Sequence, residues 1–507
     1  MKKLITYIGL FIGSLLLFNA CIGDEGNYDY VNGESVLPVQ IEGLPNDTTI
    51  NRGDIFRLTP TIVNDDPSRY TYSWDIMEYQ AGGSLPRQWD LSEEKNLEWT
   101  VSLDAATYRL NFRIHDSERD IYVRHEMIVN ITAIPMSSGW YILKDNGSET
   151  DLDYINLDGE RYNDLLTSFG STIPGTAIQI LYQSGRYTHA ITNDDGTVTQ
   201  KGNLSVYHFL TSEDIRTYDA KDFTLYKTFE DQFYGTPTCR PQSINNSSTS
   251  NYYLINDGKM YNISTIMPNI GKYGAAFPGT YELDRNIGTY GSFDRIVFDL
   301  NTRSFNQITN NVSELIPIEE AANLSDTLEL QNMDYDLQCM GVNINDAVTT
   351  ILMKNRTDGS HLLLQELSEY DPSTMSTKVV WNTISPVDDE SQMRFTNLMA
   401  QSATTFFYFA VEDKIYSYVH SEGTSLEYRE RERLSFPGET ITYITYISGV
   451  KLDDETTKEA LAVLSSQGGN WKLRIYALLG ESTPDLNTTP ILEYEGTGTA
   501  RYLLYRP

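Results

Sequence analysis

Bulky and polar residues alternate along most of this chain with the period of two that marks strands half buried in a sheet. Tyr108-Arg109-Leu110-Asn111-Phe112-Arg113-Ile114 puts Tyr108, Leu110, Phe112 and Ile114 on one face. Tyr70-Thr71-Tyr72-Ser73-Trp74-Asp75-Ile76 alternates in the same way and presents Trp74 to a core. Met127, Val129 and Ile131 repeat the pattern. Together these segments predict a β-sandwich over residues 36–134, with short antiparallel strands around one tryptophan.

From Trp140 onward the pattern is almost entirely β and weakly repetitive. Strand pairs are expected near Trp140, Ala177, Tyr252, Arg295, Thr350, Thr405 and Ala460; the last four are evenly spaced, about 55 residues apart. Tyr252 to Ile255 turns at Asp257-Gly258 and returns through Met260 to Ile263, and Asp-Gly suits a tight turn with positive φ. Phe406 to Val411 is apolar on both faces, so it must lie between two layers. Repeats of this length with two-sided strands predict a β-propeller over residues 135–507. About seven blades fit the spacing; six or eight would also be compatible. The interval from Ala177 to Tyr252 is too long for one blade, and Thr211-Ser212-Glu213-Asp214 there looks like a helix start, so a helix or an insertion is expected there. Ala500-Arg501-Tyr502-Leu503-Leu504-Tyr505-Arg506 reads as a strand that completes the first blade.

The first twenty residues depart from the β pattern. Lys2 and Lys3 precede an apolar stretch over 4–18, too short to span a membrane as a helix and suited to a secretion signal. It ends in Phe18-Asn19-Ala20-Cys21, which resembles a lipobox with Phe18 in place of the usual Leu. The expectation is a signal peptide over 1–20, lipid on Cys21 and a flexible tether over 21–35. Several acyl chains on one cysteine hold a protein stably at a membrane. Asp24 and Glu25 resemble the surface-export signal of Bacteroidetes lipoproteins, which points to the outer membrane and the cell exterior.

Composition supports a folded core: 40% hydrophobic and 12% aromatic residues, with 35 tyrosines against 18 phenylalanines. The formal charge of −32 repels nucleic acid phosphates, so no nucleic acid partner is expected. Of three cysteines, lipidation uses Cys21; Cys239 and Cys339 remain for a disulfide that their spacing does not require.

The Trp74 segment is similar to an immunoglobulin-like sandwich and, more narrowly, to the polycystic-kidney-disease (PKD) repeat family. The family's Tyr-x-Trp appears as Tyr72-Ser73-Trp74, and its late strand ending in Asp as Tyr108 to Asp116. Ala105-Ala106-Thr107 replaces the usual Gly before that strand. With the acidic lipoprotein start and Ser137-Ser138-Gly139-Trp140-Tyr141 opening the β region, the chain resembles the PKD-like lipoproteins of Bacteroidetes. That resemblance implies a surface role beside a TonB-dependent transporter and its lipoprotein lid, in handling glycans or peptides. It implies no ligand residues.

Motifs of catalysis are sparse. His125-Glu126-Met127-Ile128-Val129 begins like a zinc-protease helix but lacks the second His and lies in a strand pattern. No nucleophile elbow or phosphate loop occurs. His115, His189, His208, His361 and His420 are scattered and read as surface or satisfied residues. Asp151, Asp153 and Asp158-Gly159, like Asn193-Asp194-Asp195-Gly196, are oxygen-rich but lack the full calcium loop and read as turns. Asp47-Thr48-Thr49 and Asp326-Thr327-Leu328 resemble short O-glycosylation sites. Trp89, Trp99, Trp381 and Trp471 are candidates for a sugar platform, Trp471 because Gly468-Gly469-Asn470 suggests an exposed turn; Trp74 and Trp140 suit cores. No catalytic residue, cofactor or metal is expected. The leading expectation is a surface binding protein without catalysis. A hydrolase using two propeller carboxylates and a structural accessory subunit of a transporter are the alternatives.

Overall fold

The computed structural model describes residues 39–507 except 80–85, 135, 193–196, 247–250, 265–270, 292–293, 310–312, 322–327, 372–375, 403–404, 421–424, 452–456 and 481–482. Cys21, Asp24, Glu25, the signal, the tether and the Asn193–Gly196 turn lie outside the described residues. Two compact units divide the chain. The first holds the described residues up to Thr49, with Phe56–Trp99 and Thr107–Asn130; the second holds Ile50–Ile55, Thr100–Ala106 and Ile131–Pro507.

The first unit is built on an antiparallel sheet. Its order is Asp47–Asn51, Ile121–Thr132, Thr107–Asp116, Tyr70–Glu78 and Gln88–Ser92. Period-two alternation does what it predicts: Tyr108, Leu110, Phe112 and Ile114 are buried together with Met127 and Val129. Trp74 packs on Phe112 with ring centroids 4.4 Å apart, and its indole N–H donates to the Glu94 carbonyl at 3.1 Å. At the end of the late strand, Arg69 Nε donates to Asp116 at 2.7 Å. This bond holds the Asp116 carboxyl down to about 2.

The second unit is an all-β propeller of seven blades among the described residues. Its inner strands are Thr499–Arg506, Ala177–Thr192, Pro241–Asn246, Leu283–Tyr290, Tyr335–Asn343, Leu398–Gln401 and Thr440–Lys451, for blades 1 to 7 in turn. Each packs against the inner strands of both neighbouring blades, and the seventh returns to the first. The second strands are Gly139–Asp145, Val198–Thr211, Asn251–Asn256, Asp294–Asp299, Val348–Asn355, Phe406–Val411 and Thr457–Gln467. Blade 1 is closed by Thr499–Arg506, which pairs antiparallel with Gly139–Asp145 and sets Trp140 opposite Tyr505.

The expected repeat therefore counts second strands, except at Ala177, which opens an inner strand. The long interval has another cause than a helix at Thr211. Thr211 Oγ1 accepts from the Glu213 and Asp214 amides at 3.2 and 2.9 Å, a side-chain-closed turn that leads directly into the strand Ile215–Asp219. The interval is long because it runs from the inner strand of blade 2 to the second strand of blade 3; from second strand to second strand, Val198 to Asn251, the spacing is that of an ordinary blade.

Phe406, Phe407, Tyr408, Phe409 and Ala410 are all buried, as a strand between two layers requires. Burying each large side chain contributes about 1.5–3 kcal/mol, so such seams dominate the cohesion of the ring. Asp257 and Gly258 take φ of 51° and 70°, the left-handed pair that the Asp-Gly hairpin demands.

One device recurs at the ends of the second strands. Asp145 accepts from Gly147 N, and from Ala177 N at the start of the next inner strand. Asn256 accepts from Arg240 N, Asp299 from Glu282 N and Asn301 N, and Asn355 from Thr357 N. These short side chains satisfy turn amides. Asp145, Asn256 and Asp299 tie the second-to-third-strand turns to the segments that lead into inner strands, and these turns mark one face of the propeller, the leading face.

Candidate functional site

The residues that line the axis come from the inner strands. Tyr443 of blade 7 and Tyr502 of blade 1 pack with centroids 4.8 Å apart and their planes tilted at 42°. Their hydroxyls hydrogen-bond, and Tyr502 also bonds Gln179 of blade 2. Gln179 Oε1 in turn accepts from Ile244 N of blade 3 at 3.0 Å. One belt thus crosses four consecutive inner strands. Burial raises both phenols, Tyr443 well above its ordinary value, so they act as neutral donors and acceptors. Gln179, Tyr443 and Tyr502 are all half-buried. Aromatic faces combined with hydroxyl and amide groups can stack on and hydrogen-bond a polar ring.

Two cavities open on the leading face. One, of about 350 Å³, lies between blades 3 and 4 and is lined by Arg240, Gln242, Asp257, Lys259, Tyr281 and Glu282. Arg240 pairs with Asp257 at 2.8 Å, and Lys259 donates to the Tyr281 carbonyl with its ammonium 4.3 Å from the Tyr281 ring centre. The other, of about 320 Å³, is lined by Lys144, Asp145, Glu149, Asp151, Asp164 and Thr167, with Thr497 and Gly498. Three of its four lining acids, Asp145, Asp151 and Asp164, are engaged. Lys144 is buried and bridges Asp153 at 2.8 Å and Asp164 at 2.7 Å. Asp151 accepts from Leu166 N and Thr167 Oγ1, fixing the short helix Leu165–Ser168; burial raises its pKa. Asp145 holds Arg501 and Ala177 N.

A cation–π cluster sits at the other end of the inner strands. Arg506 lies 3.6 Å over the Tyr182 ring and donates to the Tyr207 hydroxyl, which reaches Tyr141 at 2.5 Å. A buried carboxyl lies elsewhere, between blades 4 and 5. Glu366 accepts from Gly291 N at 2.8 Å, with Thr289 Oγ1 at 3.4 Å, and burial pushes its pKa up to about 8.

The tryptophans correct the sugar-platform expectation. Trp471 is 0% exposed; its indole N–H donates to Asp153 Oδ2 at 3.0 Å, and Gly496 leaves room for the ring. Its glycine-rich neighbour is a turn, yet the strand that follows faces the blade 7 to blade 1 seam. Trp381 is buried too, whereas Trp89 and Trp99 are half-buried in the first unit. Trp74 and Trp140 fill cores as expected. Tyr443 and Tyr502 were missed because nothing local separates an axial tyrosine from a seam tyrosine. The phase that distinguishes them is set by the ring.

His208 is buried between Thr217 and Gln183, and His420 meets Gln365 at 3.0 Å. His115 pairs with Asp120, and His361 meets Arg394. His125 lies in a strand, as its pattern indicated. Asp151 and Asp153 lie in a strand and Asp158-Gly159 in a turn. No group of three or more His, Cys, Asp or Glu among the described residues is arranged to hold a metal. Cys239 and Cys339 are free thiols. Among the described residues, no helix is long and apolar enough to cross a membrane.

Sequence comparison assigns the N-terminal part. Residues 21–180 match the model of the PKD-like family. That match covers the first unit and ends within the inner strand of blade 2. No curated protein matches. Among solved structures, a quinonprotein alcohol dehydrogenase-like protein from Bacteroides thetaiotaomicron aligns at 13% identity, covering 91% of this chain and 97% of that one, with a TM-score of 0.48. Extracellular domains 3–5 of Drosophila OTK align at 11% identity over 68% of this chain and 96% of that one, with a TM-score of 0.14.

Proposed function

We propose that this chain is a surface lipoprotein that captures a nutrient ligand, a glycan or a peptide, for an outer-membrane uptake system, without breaking a bond. The axial belt of Tyr443, Tyr502 and Gln179 carries the reading. It offers stacking faces and neutral hydrogen-bonding groups at solvent-touched positions, the equipment of recognition rather than of proton transfer. Three acids of the Lys144 cavity, Asp145, Asp151 and Asp164, support it from the other side, because each is engaged by a lysine, an arginine, a hydroxyl or backbone amides. Lipid on Cys21 would hold the protein at the membrane, and Asp24 and Glu25 would direct it outward. A TonB-dependent transporter and its lid are the partners to which the captured ligand would pass.

The test uses the soluble chain beginning after Cys21, titrated calorimetrically with panels of oligosaccharides and peptides while the same mixtures are assayed for products. Saturable binding that weakens at least tenfold in Tyr502→Phe and Tyr443→Phe is expected. Release of sugars or peptides would sink the capture reading, and so would binding indifferent to both substitutions.

A further inference from the structure

A net charge of −32 leaves few places on this chain where a negative group is welcome. One is built where the inner strand of blade 1 ends against blade 2. Tyr182 and Ser184 are two residues apart on the inner strand of blade 2, so they share a face. Tyr182 pairs with Tyr207 and Gln183 with Val206, which brings Tyr207 and Ser205 of the second strand opposite them on that face. The register shifts between Gln183 and Tyr187, and Gly185 takes a φ of 61° there, its N–H donating to Ser205 Oγ at 2.9 Å. This bulge fixes the Ser205 hydroxyl beside Tyr182 and Ser184.

Arg506, the last residue of the inner strand of blade 1, reaches across to the same face. Its guanidinium lies 3.6 Å from the Tyr182 ring centre and donates to the Tyr207 hydroxyl. The side chains of Ser205, Ser184 and Arg506 all hydrogen-bond the Tyr182 hydroxyl, so one cation and two further hydroxyls converge on a single oxygen. Arg501, on the same strand, is held by Asp145 at 3.0 Å. Arg506 has no such carboxylate among the described residues; its main electrostatic neighbours are the phenols of Tyr207, Tyr141 and Tyr182. Arg506 and Tyr182 are half-buried and Ser184 is exposed, so the cluster opens to solvent. Tyr182 reports what this arrangement favours. Burial pushes its phenol up, yet the hydrogen bonds from Ser205 and Ser184 and the Arg506 charge outweigh burial and bring it below its ordinary value. Tyr141, Tyr207, Tyr443 and Tyr502 are all raised instead. The Tyr182 oxygen thus marks a point where negative charge is stabilised.

We propose that Arg506, Tyr182, Ser184 and Ser205 bind a carboxylate of the captured ligand, a uronic acid of a glycan or the C-terminus of a peptide; this rests on the capture reading above. A guanidinium carries five N–H donors in a planar fork, which matches the two oxygens of a carboxylate. The hydroxyls supply donors for its remaining lone pairs. One cation balances one negative charge. A dianion such as phosphate would meet the same cation but stronger repulsion from the field of the acidic chain.

Calorimetry on the soluble chain beginning after Cys21 tests this by comparing trigalacturonate with its methyl ester and trialanine with its C-terminal amide, with inorganic phosphate as the dianion. One acid should bind on the order of tenfold more tightly than its blocked form, and the acid that does so names the source of the carboxylate. Arg506→Gln should erase that preference. Because Arg506 also helps to close blade 1, Ser184→Ala is the second variant. Its side chain is exposed, so its circular dichroism should match the parent's while the preference shrinks severalfold. Blocked forms that bind as tightly as the acids, in a manner still weakened by Tyr502→Phe, would overturn the carboxylate site and leave the capture reading standing. Phosphate binding as tightly as the preferred acid, or a preference unchanged in Ser184→Ala, would overturn it too. Silence from every probe would also sink the site, and the wider ligand panel then decides the capture reading separately.

Discussion

Replacing Glu366 with Gln should remove a pH-dependent weakness from the seam between blades 4 and 5. The carboxyl is 0% exposed. It is held by Gly291 N and faced by Thr289, which shares a 2.8 Å hydrogen bond with Thr349. Tyr290 and the buried Arg295 are the other titratable groups near it. Arg295 is engaged with Asn245, Asn246 and the Asp294 carbonyl rather than with Glu366. Burial therefore dominates and keeps the folded carboxyl protonated up to about 8, against an ordinary value of 4.5. Below pH 4.5 both folded and unfolded chains carry the proton, and the native seam is fully stable. Between these values the unfolded chain has released its proton and the folded one has not, so stability falls as pH rises. Each unit of difference is worth about 1.4 kcal/mol, which makes the loss on the order of a few kcal/mol by pH 8, constant above that. Glu366→Gln keeps the shape and the acceptor for Gly291 N but cannot ionise. Urea unfolding of parent and variant from pH 5 to pH 9 should show the variant gaining steadily on the parent up to about pH 8 and no further. A difference independent of pH would refute the assignment of a buried, protonated carboxyl.

Other outcomes follow from single contacts. Gly496→Ala would bring a Cβ to 2.6 Å from the Trp471 ring; a loss of about 2 kcal/mol or more is expected from overpacking, read as a lower denaturation midpoint. Deleting Thr499–Arg506 frees one edge of Gly139–Asp145, which keeps only its pairing with Glu149–Asn156, so hydrogen exchange in that strand should accelerate before exchange in blades 4 and 5 does. Arg69→Gln removes the group that keeps Asp116 ionised down to about 2. Nuclear magnetic resonance titration should find the Asp116 pKa moved upward, and the acid stability of the first unit should then be lost at higher pH. If Cys21 carries lipid, Cys21→Ser should abolish labelling by a radioactive fatty acid and release the protein from the membrane fraction.

Architecture was legible where burial is decided by neighbours in sequence. Tyr108, Leu110, Phe112 and Ile114 alternate because one sheet face is covered, and Phe406–Val411 does not alternate because both are. Asp257-Gly258 named its own turn. Resolution failed where a side chain's environment comes from across the ring. Gly468-Gly469-Asn470 reads as an exposed loop, but Trp471 one residue later meets Asp153 of another blade. Thr211-Ser212-Glu213-Asp214 carries the same local hydrogen-bonding option whether a helix or a strand follows. Ile215, Thr217, Tyr218 and Asp219 are all buried, and this two-sided burial comes from the neighbouring layers rather than from the sequence pattern. The axial tyrosines were hidden for the same reason: membership of an inner strand is a property of ring closure.

That closure has a temporal side. Ser138 Oγ bonds the Pro507 carbonyl across 369 residues, and the strand between Thr499 and Arg506 seats against partners laid down long before it. Blades 2 to 7 are made of consecutive hairpins that can zip locally, but blade 1 waits for its innermost strand. Contacts of such separation demand most of the loop-closure entropy before they return any stabilisation. The final docking step should set the pace of assembly. Until it occurs, Gly139–Asp145 is an edge strand, paired only with Glu149–Asn156 and open on its other side to pairing with a neighbouring molecule. The same register that seals the finished ring thus defines a window of vulnerability during its making.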